Sequence, residues 1–189
     1  MKRGVAWAVA ALALCVAQAV LAGSAGVQAP AARYFTDTPL LDQAGRSHRF
    51  YSDLIEGHTV LIHSFFAHCQ SVCPPVNERM AKLQEHLGDR LGNDVRILSI
   101  TTDPARDDVA SLRNYAKRSR AKPGWYFLTG NPEDVNAILG KLGQATEAPE
   151  GHSNILLVGN ARTGLWKKAF PLASLEDLVR VVDSVANDR

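Results

Sequence analysis

The chain has 189 residues and a formal net charge of +2, and 46% of its residues are hydrophobic. This length suits one domain plus a leader, and the apolar content is ordinary for a protein that buries a full core. A charge so close to zero, without a long basic stretch or interleaved aromatic residues, implies no polyanionic partner and excludes nucleic acid as a ligand.

The N-terminal segment has the composition of an export signal. Met1-Lys2-Arg3 is positively charged, Val5 to Val16 is continuously apolar, and Val20-Leu-Ala22 fits the small-residue rule for cleavage. We therefore assign residues 1–32 to a signal peptide or membrane anchor plus a short linker. Residues 33–189 are expected to be the functional domain, located in a bacterial periplasm.

The fate of this leader is open at the level of sequence. Gly4 to Gly23 has about the length of a membrane span, roughly 20 residues, so an uncleaved anchor to the inner membrane is the alternative to cleavage. Leu12-Ala-Leu-Cys15 is a poor match to a lipoprotein signal because a leucine directly precedes the cysteine. Any contact with the membrane is expected through this segment alone.

The first elements of the mature domain are a hairpin, a strand and a helix. Residues 33–58 predict an N-terminal β-hairpin with Asp42-Gln-Ala-Gly45 as its turn. Val60 to Phe66 is a short apolar run, typical of a buried central strand. Pro74 to Leu91 is predicted to be a helix, because its apolar residues recur at spacings of four and three.

The remaining elements alternate between strand and helix. They are a strand at Val95 to Ile100, a helix at Asp107 to Lys117, a strand at Trp125 to Leu128, a helix capped by Asn131 that ends near Leu142, a strand pair at Asn154 to Val158 and Gly164 to Lys168, and a last helix capped by Ser174. This order predicts an α/β protein with a thioredoxin-like fold, a mixed central sheet and an N-terminal β-hairpin extension.

The most informative motif is Cys69-Gln-Ser-Val-Cys73-Pro74, at the junction of the first main strand and the first main helix. Without the leader, these are the two cysteines that remain of three. A disulfide between them would close a very short loop and stabilise the fold little, so a functional pair is favoured over a structural one. In an oxidising compartment such a pair must be kept reduced by a partner if it is to bind metal.

Both metal binding and redox chemistry are compatible with this position. A helix N-terminus stabilises thiolates, so the pKa values of both cysteines are expected to fall. Pro74 favours an extended Cys73 just before the helix, and the three intervening residues leave room for a metal while a disulfide stays within reach. Two soft thiolates select Cu(I), whereas zinc wants four ligands, or three and a water.

A third ligand would come from one of six histidines. His48, His58 and His86 are expected at turn or surface-helix positions, and His63 is expected to be a packed core residue. His68 adjoins Cys69 and is a candidate for tuning the thiols. His152 is the best remote candidate, because in a thioredoxin-like topology the loop before the following strand lies against the cysteine loop.

Several motifs together resemble the SCO/SenC family of copper proteins that take part in cytochrome c oxidase assembly. The resemblance covers most of residues 38–170 and rests on Asp42-Gln-Ala-Gly45, Phe65-Phe-Ala-His-Cys69 with Cys73-Pro74, Ser99-Ile-Thr-Thr-Asp103-Pro104, Trp125-Tyr-Phe-Leu-Thr-Gly130 and Gly151-His152-Ser153. Two positions depart from the family pattern. Gln70 stands where proline is usual, and His68 where a small or aromatic residue is common.

The resemblance implies a copper metallochaperone rather than an enzyme. It assigns Cys69, Cys73 and His152 as ligands of one copper ion, in the Cu(I) or Cu(II) state, with Cys69 and Cys73 also able to form a redox disulfide. The implied role is delivery of copper to the dinuclear copper site of the copper-bearing subunit of cytochrome c oxidase. A periplasmic thiol reductant or another copper chaperone is a further expected partner.

Other functions stay open at this point. A thiol–disulfide oxidoreductase that keeps the oxidase copper-site cysteines reduced is the main alternative, either as the sole function or as an accessory activity, and a redox sensor is another. A peroxiredoxin-like peroxidase is disfavoured, because Ile62 to His68 lacks the proline and threonine that such a loop places before its cysteine.

Overall fold

A computed structural model describes residues 30–151 and 154–189. Most of the predicted leader, and His152, lie outside the described residues. The helices are α1 (Pro30–Phe35), α2 (Cys73–Leu87), α3 (Val109–Arg118), α4 (Pro132–Lys141) and α5 (Leu175–Ala186), with short 3-10 helices at Gly88–Arg90 and Pro149–Gly151. The strands are β1 (Pro39–Leu41), β2 (Ser47–Arg49), β3 (Thr59–Phe65), β4 (Val95–Thr101), β5 (Trp125–Leu128), β6 (Leu156–Asn160) and β7 (Trp166–Ala169).

Five strands form the central sheet in the order β5-β4-β3-β6-β7. β3 lies in the middle, parallel to β4 and antiparallel to β6, and β7 is antiparallel to β6. β1 and β2 form a separate antiparallel hairpin. The predicted mixed sheet and N-terminal hairpin are therefore confirmed.

The alternation of side chains along β3 divides the core into two layers. Leu61 and Phe65 face one layer, which is built mainly with α2, α3 and α5. Val60 and Ile62 face the other, which is closed by α4 and the N-terminal segment. All seven residues of β3 are buried, as expected for a central strand that is covered on both faces.

The predicted elements are present, but several boundaries differ. α2 begins at Cys73 and ends at Leu87, because Gly88 takes a positive φ of 52° and a 3-10 turn follows. α3 begins later than expected, at Val109, since the Asp108 carboxylate accepts a hydrogen bond from the Ser111 amide and caps the helix. Within the described part of the chain, no helix combines the length and apolarity needed to cross a membrane.

The turn motif of the hairpin is organised by the buried Asp42 carboxylate. One oxygen accepts from the amides of Ala44 (2.8 Å) and Arg46 (2.9 Å), and the other from Arg46 Nε (2.8 Å). His48 Nε2 lies 3.0 Å from that second oxygen. The side chain of the adjoining Gln43 donates from Nε2 to the Trp125 carbonyl and accepts at Oε1 from the Phe127 amide. It therefore satisfies backbone groups at the edge strand β5.

We predict that Asp42→Ala lowers the free energy of unfolding by about 2 to 3 kcal/mol near neutral pH, because several donors converge on this buried carboxylate and lose a charged acceptor. Burial alone would raise the pKa of Asp42, but hydrogen bonds from His48 and Arg46 outweigh burial and leave the pKa lowered. A lowered pKa stabilises the fold above the unfolded-state pKa of about 3.9 and ceases to do so as the pH falls through the folded value.

Urea unfolding at a series of pH values measures this contribution. The gap between wild type and Asp42→Asn should be full near neutral pH and should narrow as the pH falls below about 4. Asp89→Asn, at an exposed position in the 3-10 turn after α2, is the matched control. A gap that stayed constant, or that widened in acid, would contradict the assignment.

Candidate metal and thiol site

The two cysteines lie where β3 leaves the sheet and α2 begins. β3 ends at Phe65, Cys69 lies in the following loop, and Cys73 is the first residue of α2. The expectation that Cys73 precedes the helix in an extended conformation is therefore wrong. Val72, the residue before it, is already in the helical region (φ −86°, ψ −31°), and no side chain caps this end of the helix.

Both cysteines are reduced thiols on residues with little exposure, 8% for Cys69 and 2% for Cys73. The Cys73 amide donates a hydrogen bond to Cys69 Sγ over 3.3 Å, and Ser71 Oγ lies 3.9 Å from the same sulfur. The Cys73 amide, a donor of the first helical turn, thus points at Cys69 rather than at solvent. This is the arrangement that stabilises an anion at a helix N-terminus.

The two thiols differ in acidity. Burial alone would raise the pKa of Cys69, but hydrogen bonds from the side chain and amide of Cys73 outweigh it and leave the pKa below its ordinary value. Burial, aided by the hydrogen bond to Cys69, raises the pKa of Cys73 to about 12. The expectation that both pKa values fall is thus right for Cys69 and wrong for Cys73, because desolvation dominates at the deeper thiol.

The two cysteines also differ in the space around them, and the more acidic Cys69 has the larger opening beside it. Cys69 lines a groove of about 370 Å³ between α2 and α3. Cys73 instead lines a small cavity of about 10 Å³ on its other side, together with His63, Asn77 and Asn154. A partner that approaches along the groove therefore meets Cys69 first.

The loop that carries Cys69 is held from below by a buried carboxylate. Asp107 Oδ2 accepts hydrogen bonds from the Ala67 amide (2.9 Å) and the Thr101 hydroxyl (2.5 Å). Its other oxygen lies 3.6 Å from His68 Nδ1. The sequence argument missed Asp107, although it quoted the neighbouring Asp103-Pro104, because nothing local shows that this aspartate folds back under the cysteine loop.

Most histidines fall where the sequence predicted. His63 is 2% exposed, and its Nε2 lies 2.8 Å from Ser99 Oγ. The same oxygen accepts a hydrogen bond from the Trp125 indole at 2.9 Å. The prediction that His63 is a packed core residue is therefore confirmed. His86 is exposed and faces Asp183. His68 is largely exposed with its ring next to Asp107, and its suggested tuning of the thiols stays a prediction.

The assignment of His152 as third ligand is not tested, since it lies outside the described residues. Its neighbours are informative: Asn154 and Ile155 line the same cavity as Cys73. The chain just after His152 therefore comes close to the deeper thiol. Among residues 30–151 and 154–189, no three histidine, cysteine or acidic side chains are grouped so that they could hold a metal ion.

These features define a class, the thioredoxin-like proteins that carry a dithiol where a strand meets a helix. The SCO1/SenC family model matches residues 28–161 of this chain. Because the match covers more than half of the sequence, the chain belongs to the SCO1/SenC family.

Similar proteins agree with this assignment. A SCO2-like protein of Rickettsia conorii is 31% identical over 121 residues, which cover 64% of this chain and 57% of the relative. The chain thus spans a little over half of the length of that relative. The structure is also similar to that of BsSco, described as a member of the Sco family of cytochrome c oxidase assembly proteins (TM-score 0.68, 23% identity, 82% of this chain and 94% of that one).

A third similar structure is that of Arabidopsis thaliana ScoI with copper bound. It aligns with a TM-score of 0.67 and 21% identity over 80% of this chain and 96% of that one. At this level of identity the likeness shows the shared fold.

Proposed function

We propose that this protein is an exported copper chaperone that binds one copper ion through Cys69, Cys73 and His152. Its cargo would be delivered to the dinuclear copper site of cytochrome c oxidase. The observation that carries the proposal is the pair of adjacent reduced thiols at the start of α2, with the chain after His152 lining the cavity beside Cys73. Two thiolates and an imidazole form a donor set suited to copper.

The family context supports the same cargo and destination. ScoI of Arabidopsis thaliana is described with copper bound, and BsSco as an assembly protein for cytochrome c oxidase. A bacterial periplasm, reached through the predicted leader, is the location we propose for this protein. Cytochrome c oxidase, through its copper-bearing subunit, is the proposed client.

Ligand exchange would move the cargo. Cys69 faces the groove and is the ligand that an incoming thiolate reaches first, whereas Cys73 is buried and would be displaced last. Exchange of one ligand at a time keeps the ion bound to sulfur throughout. The order of release therefore follows from the different depth of the two sulfurs.

Copper stoichiometry and affinity of the reduced, anaerobic protein test this proposal. Wild type should bind one equivalent, Cys69→Ser and Cys73→Ser should lose binding, and His152→Ala should weaken it by about a hundredfold or more, since altering a mere outer partner of a metal ligand already costs 10- to 100-fold. His86→Ala is the matched control, because His86 lies 13 residues along α2 from Cys73, or about 20 Å.

The decisive result is that of His152→Ala. Copper binding equal to that of wild type in this variant, with thiol exchange intact, would rule out the three-ligand chaperone. It would leave the dithiol as the functional unit.

A second function is favoured by the asymmetry of the thiols. A thiol–disulfide oxidoreductase needs one accessible, acidic nucleophile and one protected resolving thiol. Cys69 and Cys73 match these two roles in exposure to the groove and in the direction of their pKa shifts. Reduction of the client's copper-site disulfide would oxidise Cys69 and Cys73 to a disulfide, so a periplasmic thiol reductant must restore the two thiols before the same pair delivers copper.

A further inference from the structure

The groove that contains Cys69 ends at a basic turn. Cys69 and Pro74 form one end of its lining, and Arg118 and Arg120, at the C-terminal end of α3, form the other. The inner wall is Tyr115, whose hydroxyl accepts a hydrogen bond from the Asn77 side chain over 2.6 Å. The guanidinium of Arg118 lies 5.2 Å from the centre of the Tyr115 ring, which places its charge over the groove wall.

The basic turn is held in place by a buried amide. Gln84 of α2 is 3% exposed; its Nε2 donates to the Arg120 carbonyl (3.1 Å), and its Oε1 accepts from the Lys122 amide (2.7 Å). Arg120 itself has a φ of +53°, a backbone conformation that a residue with a side chain adopts only when its surroundings impose it. The cations at this end of the groove are therefore presented from a fixed backbone.

The charges of this turn are not neutralised within the described part of the chain. Four cations, Lys117, Arg118, Arg120 and Lys122, fall within six residues, and all are exposed. None of them takes part in the ion pairs found among residues 30–151 and 154–189. The groove lining contains one acidic residue, Glu78, against two arginines, so its electrostatic preference is for an anionic occupant.

We propose that this groove docks an acidic, cysteine-bearing segment of the protein that exchanges with Cys69. The inference rests on the proposed function of the dithiol and adds the chemistry of the partner. An acidic segment held by Arg118 and Arg120 would lie along the groove and bring its own sulfur to the end that Cys69 lines. Complementary charge of this kind raises the rate of encounter and selects among partners more than it adds affinity.

Thiol exchange provides a measurable form of this encounter. The Cys69 thiolate attacks the peptide sulfur of a mixed disulfide between a cysteine peptide and 2-nitro-5-thiobenzoate. A new bond forms between Cys69 and the peptide, and the coloured thiobenzoate leaves with the bonding electrons. Cys73 then loses its proton to solvent and attacks Cys69, which releases the peptide as a thiolate and leaves a disulfide between Cys69 and Cys73. The protein has lost two electrons, and the probe has gained them.

The experiment compares two synthetic probes on the reduced, copper-free full chain. Each is a short peptide with one cysteine as the thiobenzoate mixed disulfide, flanked by aspartates in one peptide and by lysines in the other. At an ionic strength of about 0.01 M the acidic probe should react about tenfold faster than the basic one. The preference should shrink at about 0.15 M, where the screening length falls from about 30 Å to about 8 Å.

Variants locate the effect in the groove. Arg118→Glu/Arg120→Glu should abolish or invert the preference, whereas Arg118→Lys/Arg120→Lys should keep it. Arg162→Glu/Arg189→Glu makes the same change in net charge and is the matched control. Arg162 follows β6 where Asn160 pairs with Thr59, at the other end of β3 from the cysteine loop, and the control should leave the preference unchanged.

A neutral probe, dipyridyl disulfide, separates failure of docking from failure of the proposed function. The docking inference is wrong if Cys69 reacts with the neutral probe but reacts with the acidic and basic peptides at equal rates in wild type. It is also wrong if Arg118→Glu/Arg120→Glu changes the ratio of the two peptide rates no more than the control variant does. Either result leaves the proposal that the dithiol binds copper unaffected. If wild type binds no copper but keeps the preference for the acidic peptide, the proposed chaperone function fails and the docking surface stands.

Discussion

Alkylation of the reduced, copper-free protein should modify Cys69 at least about thirtyfold faster than Cys73 at neutral pH. The pKa of Cys73 is raised to about 12, whereas that of Cys69 lies below the ordinary thiol value. A difference of at least about three pKa units gives Cys69 a roughly thousandfold larger thiolate fraction. The more acidic thiolate is about thirtyfold less nucleophilic, so the net rate advantage of Cys69 is about thirtyfold. The deeper burial of Cys73 adds to the difference.

Iodoacetamide labelling followed by peptide mass spectrometry measures the two rates in the same sample. Cys69→Ser should react almost as slowly as a protein without thiols in this domain, because Cys73 is 2% exposed. Cys73→Ala should slow the labelling of Cys69, since it removes the thiol that hydrogen-bonds to it. Equal rates at the two cysteines, or faster reaction at Cys73, would contradict the division of roles between an entering and a resolving thiol.

The order of elements could be predicted because each strand and helix carries its own local signal. β3 is a short apolar run, Asn131 is followed by a proline that begins α4, and Ser174 caps α5 through the Asp177 amide. Boundaries were less certain at the strand β6. The apolar run predicted a start at Asn154, but the strand begins at Leu156, since Asn154 and Ile155 line the cavity beside Cys73 instead of pairing with β3.

The cysteine pair could be found from sequence, but its asymmetry could not. Spacing and position at a helix start predict that both thiols are acidic, because the field of a helix N-terminus acts on both. Depth below the surface is a property of the tertiary structure. Both cysteines border the core layer of Leu61 and Phe65, but Cys73 is the more deeply buried. Cys69 receives the amide of Cys73 and lines the groove.

Long-range support was also invisible in the sequence. Asp107 is 40 residues from Ala67, and Gln84 is 36 residues from Arg120, yet each fixes a segment that lines the groove of Cys69. The basic turn from Lys117 to Lys122 was too short to register as a patch in a chain of net charge +2. It gains meaning only when the fold places it in the same groove as Cys69.

Asp107→Ala is expected to lower the free energy of unfolding by about 2 to 4 kcal/mol, because two donors lose a buried acceptor at once. These donors are the Ala67 amide and the Thr101 hydroxyl, and the carboxylate between them is fully buried. The substitution also removes the link between the end of β4 and the loop that carries Cys69. The loop should therefore loosen more than the rest of the domain.

Asp108→Ala is the matched control, since it makes the same chemical change one residue away. Asp108 is exposed and caps α3 through the Ser111 amide, so its loss should cost about 1 kcal/mol. Urea unfolding of the two variants gives the comparison. Asp107→Asn should fall between wild type and Asp107→Ala, because its amide oxygen can still accept one of the two hydrogen bonds.

Hydrogen exchange distinguishes a local effect from general destabilisation. In Asp107→Ala the exchange rate of the Ala67 amide should rise much more, relative to wild type, than that of an amide in the middle of β3, such as Ile62. In Asp108→Ala the ratio of these two exchange rates should stay as in wild type. Copper affinity should fall in Asp107→Ala under conditions where the protein is still folded, because the loop that carries the proposed ligand Cys69 has lost its anchor. An Asp107→Ala protein as stable as Asp108→Ala, with a protected Ala67 amide, would show that this carboxylate does not position the loop.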